Sequence, residues 1–420
     1  MGEQVTQVTY DQCVIGAGII GLAIAFKLTR AGQSVLILDK GGMGEGASRG
    51  NAGAFAFADV EPMASPAMLL KSPRWLLDPM GPLSVPLSYA PRMAPWMAQF
   101  ARACLPTAHA ASTKAQAALM ELAKRETELM FEDAGLSNHL RHEGALYLYA
   151  GQRAFDAAAD VWRVRAKHGV AFEPVTGARL AELQPGLGPR YTHAMFVPDW
   201  MMVSDPFEIT RALGNQTVTE GAEFRQARVV RLQPGGETTT ITMDDGETVT
   251  ARQTVVAGGA WSGKLAAQLG DTIPLEAERG YNTTLPTDAF DLKRQLVVPA
   301  DGYVITPLAS GIRVGGAAEF AGMQRPPDYR RSAMMLKKSE SVMQGLNTSG
   351  GKQWMGFRPS LPDTLPVIGR SSTSSRVMYA FGHGHLGLTQ CAATATLVRD
   401  LALGQAPSID MHPYRAERFC

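Results

Sequence analysis

Val14-Ile-Gly16-Ala-Gly18-Ile-Ile-Gly21 follows the apolar residue Cys13 and opens an apolar stretch that runs on to about Arg30, after which Val35-Leu-Ile-Leu38 ends in Asp39. The pattern predicts a buried strand, a glycine turn, a helix over about 19–30 and a second parallel strand. Gly16 permits the tight turn, Gly18 lets a pyrophosphate approach the main chain, and Gly21 lets helix and strand lie close. Ala17, Ile19 and Ile20 complete the loop, whose unpaired N–H groups and positive helix end suit phosphates. Asp39, 18 positions after the last glycine, suits a ribose hydroxyl, with Lys40 beside it. An isolated glycine turn is an ordinary β-α connection. Strand, helix, strand and terminal Asp together predict a dinucleotide site.

The 420 residues are 45% apolar, with 40 basic against 39 acidic side chains, a formal charge of +1. That is material for two domains and offers no broad field for nucleic acid. Cys13, Cys104, Cys391 and Cys420 are scattered without CxxC or metal spacing, so the reading is a reduced, cytoplasmic chain with no metal. Residues 13–26, the longest apolar stretch, are too short to span a bilayer. Any membrane contact is then peripheral, on the inner face.

Residues 61–106 hold nine prolines together with Met63, Met68, Trp75, Met80, Met93, Trp96 and Met97. Proline interrupts helices, so short helices and loops are expected. Their apolar surface either packs on the body of the protein, the favoured reading, or forms a lid or a membrane or quinone contact through residues 62–106. Helices are expected over 112–134, 154–168 and 206–220, and strands over 144–149, 193–203 (a pair), 224–232, 277–285, 302–307, 312–316 and 377–381. Thr254-Val-Val-Ala257-Gly258-Gly-Ala-Trp261-Ser262 repeats the strand-to-glycine-turn pattern and returns the chain to the nucleotide sheet.

Further motifs carry a resemblance through nearly the whole chain: Gly44-Glu-Gly-Ala47-Ser48, Gly50-Asn51-Ala52-Gly53, Gly356-Phe-Arg358-Pro359 with Asp363 and Gly369, and Gly382-His383-Gly384-His385-Leu386-Gly387. With the opening loop and Val256–Ser262, the sequence resembles the FAD-dependent D-amino-acid oxidase superfamily. Within it the D-amino-acid dehydrogenase branch, which includes hydroxy-D-proline dehydrogenases, is the most similar. The resemblance implies an α/β architecture: a Rossmann-like FAD-binding domain, discontinuous in sequence (1–62, 204–270, 351–420), and an α+β substrate domain with a mixed or antiparallel sheet (63–203, 271–350). It implies FAD, with Ala47, Ser48, Asn51, Ala52 and Gly53 near pyrophosphate and flavin, and Val229 near adenine; no cysteine stands beside Arg358, where some relatives attach flavin covalently, so non-covalent FAD is expected. Ala257, Gly258 and Trp261 belong to the same site, and Gly384, Leu386 and Gly387 lie along the pyrimidine edge of the flavin.

For the substrate, a guanidinium is the planar bidentate partner a carboxylate needs, and Arg358 stands where the resemblance places one. Tyr303 and Tyr281 are the tyrosines expected to face the substrate, with ordinary core packing as the alternative. His383 and His385 either bond cofactor or substrate or are satisfied locally. The implied reaction is hydride transfer from Cα of a D-amino acid to flavin, giving an imine, then a 2-oxo acid and ammonia, with electrons passed to a quinone-type acceptor. The alternatives are a glycine, sarcosine or (hydroxy)proline-type amine oxidase or dehydrogenase, and a non-catalytic flavin-binding electron-carrier subunit.

Overall fold

The opening glycine loop leaves the C-terminal end of a strand in a parallel sheet. The computed structural model describes residues 9–69, 81 and 83–419. Thr9–Ile15 pairs in parallel with Val35–Asp39 on one side and Thr248–Val256 on the other. Glu223–Gln226 and Val377–Phe381 extend the sheet, also in parallel. Residues 35–38 and 377–381 are buried throughout, as apolar runs covered on both faces must be. Four helices, Ile19–Arg30, Pro106–Asp133, Pro206–Thr219 and Gly387–Ala402, share one core on this sheet, where Ala392, Ala393 and Ala395 add little bulk to the last of them. The strand expected over 224–232 is two strands. After Glu223–Gln226 the chain turns, with Ala227 N donating to Asp39 O at 2.7 Å, and Val229–Pro234 pairs antiparallel with Thr239–Met243.

A second, nine-stranded sheet runs in the order Lys352–Ser360, Glu276–Leu285, Gly311–Phe320, Tyr303–Leu308, Gln295–Val298, Ala145–Tyr149, His193–Val197, Glu173–Thr176, with Leu83–Ser84 beside Gly311–Phe320. Its main ladder is antiparallel except where Gln295–Val298 meets Ala145–Tyr149. Lys352–Ser360 therefore differs from the expected domain boundary, which put 351–420 with the nucleotide sheet. It pairs in unbroken register with Glu276–Leu285, so Arg358 stands on the second sheet.

Two helices also differ from expectation. The long one begins at Pro106, whose fixed φ suits a first turn, and the one expected over 154–168 is split into Gln152–Asp156 and Ala159–Lys167. In the proline-rich segment Ala90–Ala103 is a helix of 14 residues with Pro95 inside it. Pro95 removes one intrahelical bond, and the burial of Met93, Trp96 and Phe100 against Cys104 and Phe320 offsets that loss. Trp75 and Met80 lie outside the described residues. No described helix is long and apolar enough to cross a membrane.

Candidate active site

A single cavity of about 1040 Å³ runs from the opening glycine loop to Arg358. All the expected cofactor residues line it except Gly21 and Gly53, whose work is structural. A Cβ on Gly21 would come within 1.8 Å of Gly16 O, and one on Gly16, which has φ +117°, within 2.4 Å of Ala257 O. Gly53, also at positive φ, donates its N–H to Asn51 Oδ1 and backs onto Leu308. Gly18 is different: its nearest neighbour would be Ser48 Oγ at 3.4 Å, so the space above it belongs to the cavity. The helix starting at Ile19 has no side-chain cap at Gly18 and no acid in its first turn, while Ile19 N donates to Ser48 Oγ. Asp39 braces the loop by accepting from Ala17 N (2.7 Å) and Gly41 N (2.8 Å). Lys40 Nζ lies 3.1 Å from the centre of the Trp261 ring, and burial lowers its pKa.

Residues 49–53 are drawn onto the second sheet. Asn282 Nδ2 donates to Gly50 O at 2.9 Å, and Arg313 Nη1 donates to Asn51 O at 2.6 Å. With these carbonyls turned to the sheet, the cavity meets the rest of the loop backbone. The Trp354 indole fills the space over Gly50 and Gly356, where a Cβ would meet it at 2.0 Å.

Arg358 lines the same cavity. Nη1 donates to Glu278 Oε1 (2.6 Å) and Ala317 O (2.9 Å), and Nη2 touches Gly316 O at 3.4 Å. Glu278 is held in turn by Ser360 Oγ at 2.7 Å. Among the described residues nothing pairs with Nε, Nη2 has only the long contact to Gly316 O, and the side chain is 24% exposed and lines the cavity. The guanidinium lies flat on Gly280: a Cβ there would be 2.4 Å from Cζ. A β-bulge between Arg279 and Tyr281, with Ala317 at φ +56°, aims the Ala317 and Gly316 carbonyls at Arg358. Gly280→Val is expected to push the guanidinium off its seat and raise KM for a carboxylate substrate at least tenfold with kcat less affected, by steady-state kinetics.

Residues 11–401 match the family described as FAD dependent oxidoreductase (DAO). The chain belongs to this family. It is 32% identical over 415 residues to a D-amino-acid oxidase of Bradyrhizobium diazoefficiens, covering 97% of this chain and 98% of the relative. It is 30% identical over 398 residues to a D-amino acid dehydrogenase of Xylella fastidiosa, covering 92% and 91%. In fold it resembles glycine oxidase from Geobacillus kaustophilus, with TM-score 0.77, 21% identity and coverage of 98% and 99%.

The cavity of this FAD-dependent oxidoreductase fits its cofactor. Gly18 and the uncapped start of Ile19–Arg30 suit the pyrophosphate, and Asp39 suits the ribose. The N-terminus of Gly387–Ala402, uncapped by any side chain, opens on the same cavity some way along it. Such a positive end suits the anionic pyrimidine edge of reduced flavin. Among the described residues no cysteine lines the cavity.

The two tyrosines line the cavity and also pack in the core. Register sets Tyr281 beside Met355 and Gly316, and Tyr303 beside Gly316, while Glu278, Gly280 and Asn282 alternate onto the other face. Both rings belong to the core formed with Met335, Val342 and Met343, and Tyr281 Oη donates to Glu319 at 2.6 Å. Tyr303→Phe is expected to leave kcat/KM within about twofold, in steady-state assays.

His383 braces its loop: it is buried, its Nε2 shares a hydrogen bond with Thr394 Oγ1 (3.0 Å), and burial pushes its pKa down to about 3. His385 instead opens its ring to the lumen while protein encloses it. That enclosure lowers its pKa, against the opposing pull of Asp59 and Glu278. Residues missed in the sequence reading are Glu278, Gly280, Asn282, Arg313 and Trp354. Glu278 and Gly280 lie beside a quoted tyrosine and were legible only through strand alternation.

Proposed function

We propose that the protein catalyses oxidative deamination of D-amino acids, with Arg358 as the carboxylate anchor. The observation that carries this reading is the partly exposed guanidinium of Arg358, with Nε unpaired and Nη2 weakly held, lining the dinucleotide cavity. Two relatives named for D-amino acids, at 32% and 30% identity, support the substrate class and its hand. FAD, when bound, supplies the acceptor for the Cα hydrogen.

The chain's residues do the positioning. Arg358 takes the carboxylate in two parallel charge-assisted bonds, and Glu278 with the Ala317 carbonyl stops the guanidinium from turning. Glu278 also balances the charge of Arg358, so the site does not become strongly cationic. His385 stays neutral and offers a lone pair or an N–H to the amine side of the substrate. The imine product hydrolyses in water to a 2-oxo acid and ammonia. FAD is held without a covalent link, and acid precipitation is expected to release it. Electrons go to a quinone-type acceptor, and a peripheral membrane contact through residues 62–106 fits the exposed Leu87 and Leu105. Stoichiometric hydrogen peroxide with fast aerobic reoxidation overturns that acceptor.

The test is anaerobic: D- and L-amino acids, glycine, sarcosine and hydroxyprolines are mixed with the holoenzyme and flavin absorbance is followed. Bleaching by D-amino acids is expected. Bleaching only by secondary amines or glycine moves the assignment to amine oxidation of that type.

A further inference from the structure

We propose that the cavity beyond Arg358 is a side-chain chamber for a bulky apolar substrate, branched or aromatic; this rests on Arg358 anchoring the substrate carboxylate. The register sets Phe320 beside Glu278 and Glu278 beside Arg358, so the three stand in a row on one face of adjacent strands. Arg358 also donates to Ala317 O, which puts Ala317, Ala318 and Phe320 next to the anchor. From there the lining is mostly apolar. The Trp96 ring lies 5.0 Å from Phe320, tilted by 45°, and stacks on Phe100 at 5.5 Å. Met63, Met97 and Leu83 line the same cavity.

These groups come from distant parts of the chain, the 60s, the helix Ala90–Ala103 and the strand Gly311–Phe320; they pack into one apolar cluster, and Trp96, Phe100 and Phe320 of that cluster also line the cavity. The unpaired polar atoms of the cavity's lining side chains Trp96 (Nε1), Gln116 (Oε1) and Trp200 (Nε1) are few beside its apolar surface, so a charged side chain entering it would lose more hydration than they return. An apolar one gains dispersion contacts against aromatic rings and adaptable methionines, which accommodate branched and planar shapes alike. Asp59 lines the cavity too, but its Oδ1 is held by Tyr147 (2.8 Å) and Arg165 (2.9 Å). A cationic side chain is therefore the rival that the experiment must include.

The experiment is stopped-flow anaerobic reduction of the holoenzyme by D-phenylalanine, D-leucine, D-alanine, D-glutamate and D-lysine. The limiting rate over Kd is expected to be about 10- to 100-fold higher for D-phenylalanine and D-leucine than for D-alanine, with the charged pair below D-alanine. D-alanine level with D-phenylalanine, or D-lysine or D-glutamate in front, overturns the chamber and leaves D-amino-acid oxidation standing. If no amino acid bleaches the flavin, the proposed function fails, and binding of unreactive acids decides the chamber. 3-Phenylpropanoate must then perturb the flavin spectrum at a Kd at least tenfold below that of propanoate, and equal values overturn it. Ala318→Phe, which fills the space, is expected to cut the D-phenylalanine over D-alanine preference at least tenfold, and an unchanged preference overturns the proposal. Trp96→Ala gives the same reading from the opposite wall should the first variant fail to retain FAD.

Discussion

Replacing Arg358 by alanine is expected to lower kcat/KM for a D-amino acid by about 10²- to 10³-fold while FAD stays bound. Two charge-assisted hydrogen bonds at about 1.5–3 kcal/mol each set the upper range, and the partial exposure of the side chain into the cavity reduces it. The variant also does more than delete a donor. Glu278 is buried and loses its cation, keeping only Ser360, so a carboxylate then faces the incoming substrate carboxylate. An uncompensated buried charge of this kind typically costs about 3–5 kcal/mol of stability. Arg358→Ala combined with Glu278→Gln separates the two effects. The double variant is expected to recover most of the lost Tm and little of the lost affinity. Arg358→Lys keeps the charge but not the fork, and should fall between the alanine variant and the native enzyme. Native substrate affinity in Arg358→Ala would remove this residue from the site.

What the sequence made legible follows the range over which each feature acts. The glycine loop, Asp39 and the motif around Gly382 act within a turn or two, so their roles can be read from neighbours along the chain. The opening helix is the residue-for-residue case, Ile19–Arg30. Strand parity is another matter. Tyr281 and Tyr303 lie on the strands that wall the cavity, yet one step of alternation separates Tyr281 from Gly280 and Asn282, and that step decides which face is wet. The bulge at Gly316–Glu319 shifts parity again within one strand, and nothing local in Gly315-Gly-Ala-Ala318 announces it. The pairing of Lys352–Ser360 with Glu276–Leu285 moved Arg358 onto the second sheet for the same reason: a register is a long-range fact. The proline-rich segment shows packing overriding propensity, since Pro95 remains helical because Met93, Trp96 and Phe100 have a core to enter.

Gly21→Ala and Gly18→Ala are expected to weaken FAD binding by different routes, and the contrast tests the nucleotide loop directly. At position 21 a Cβ would meet the Gly16 carbonyl at 1.8 Å, which is backbone and has no rotamer to give. The first helix must move away from its strand, and overpacking of this kind costs about 1–3 kcal/mol or more. Gly21→Ala should therefore lower the Tm of the FAD-free protein as well as its FAD affinity. At position 18 the nearest atom is Ser48 Oγ at 3.4 Å, an ordinary contact, and φ there is −77°. Gly18→Ala should fold with the Tm of the native FAD-free protein and still bind FAD at least tenfold more weakly, because the added methyl stands where the pyrophosphate approaches the main chain. Both quantities are read from apoprotein melting curves and from FAD titration by flavin fluorescence. Comparison must be made on apoprotein, since bound FAD stabilises the native state by mass action and its weaker binding would lower the holo-protein Tm of both variants alike. A Gly18→Ala protein with native FAD affinity would place the pyrophosphate elsewhere in the cavity.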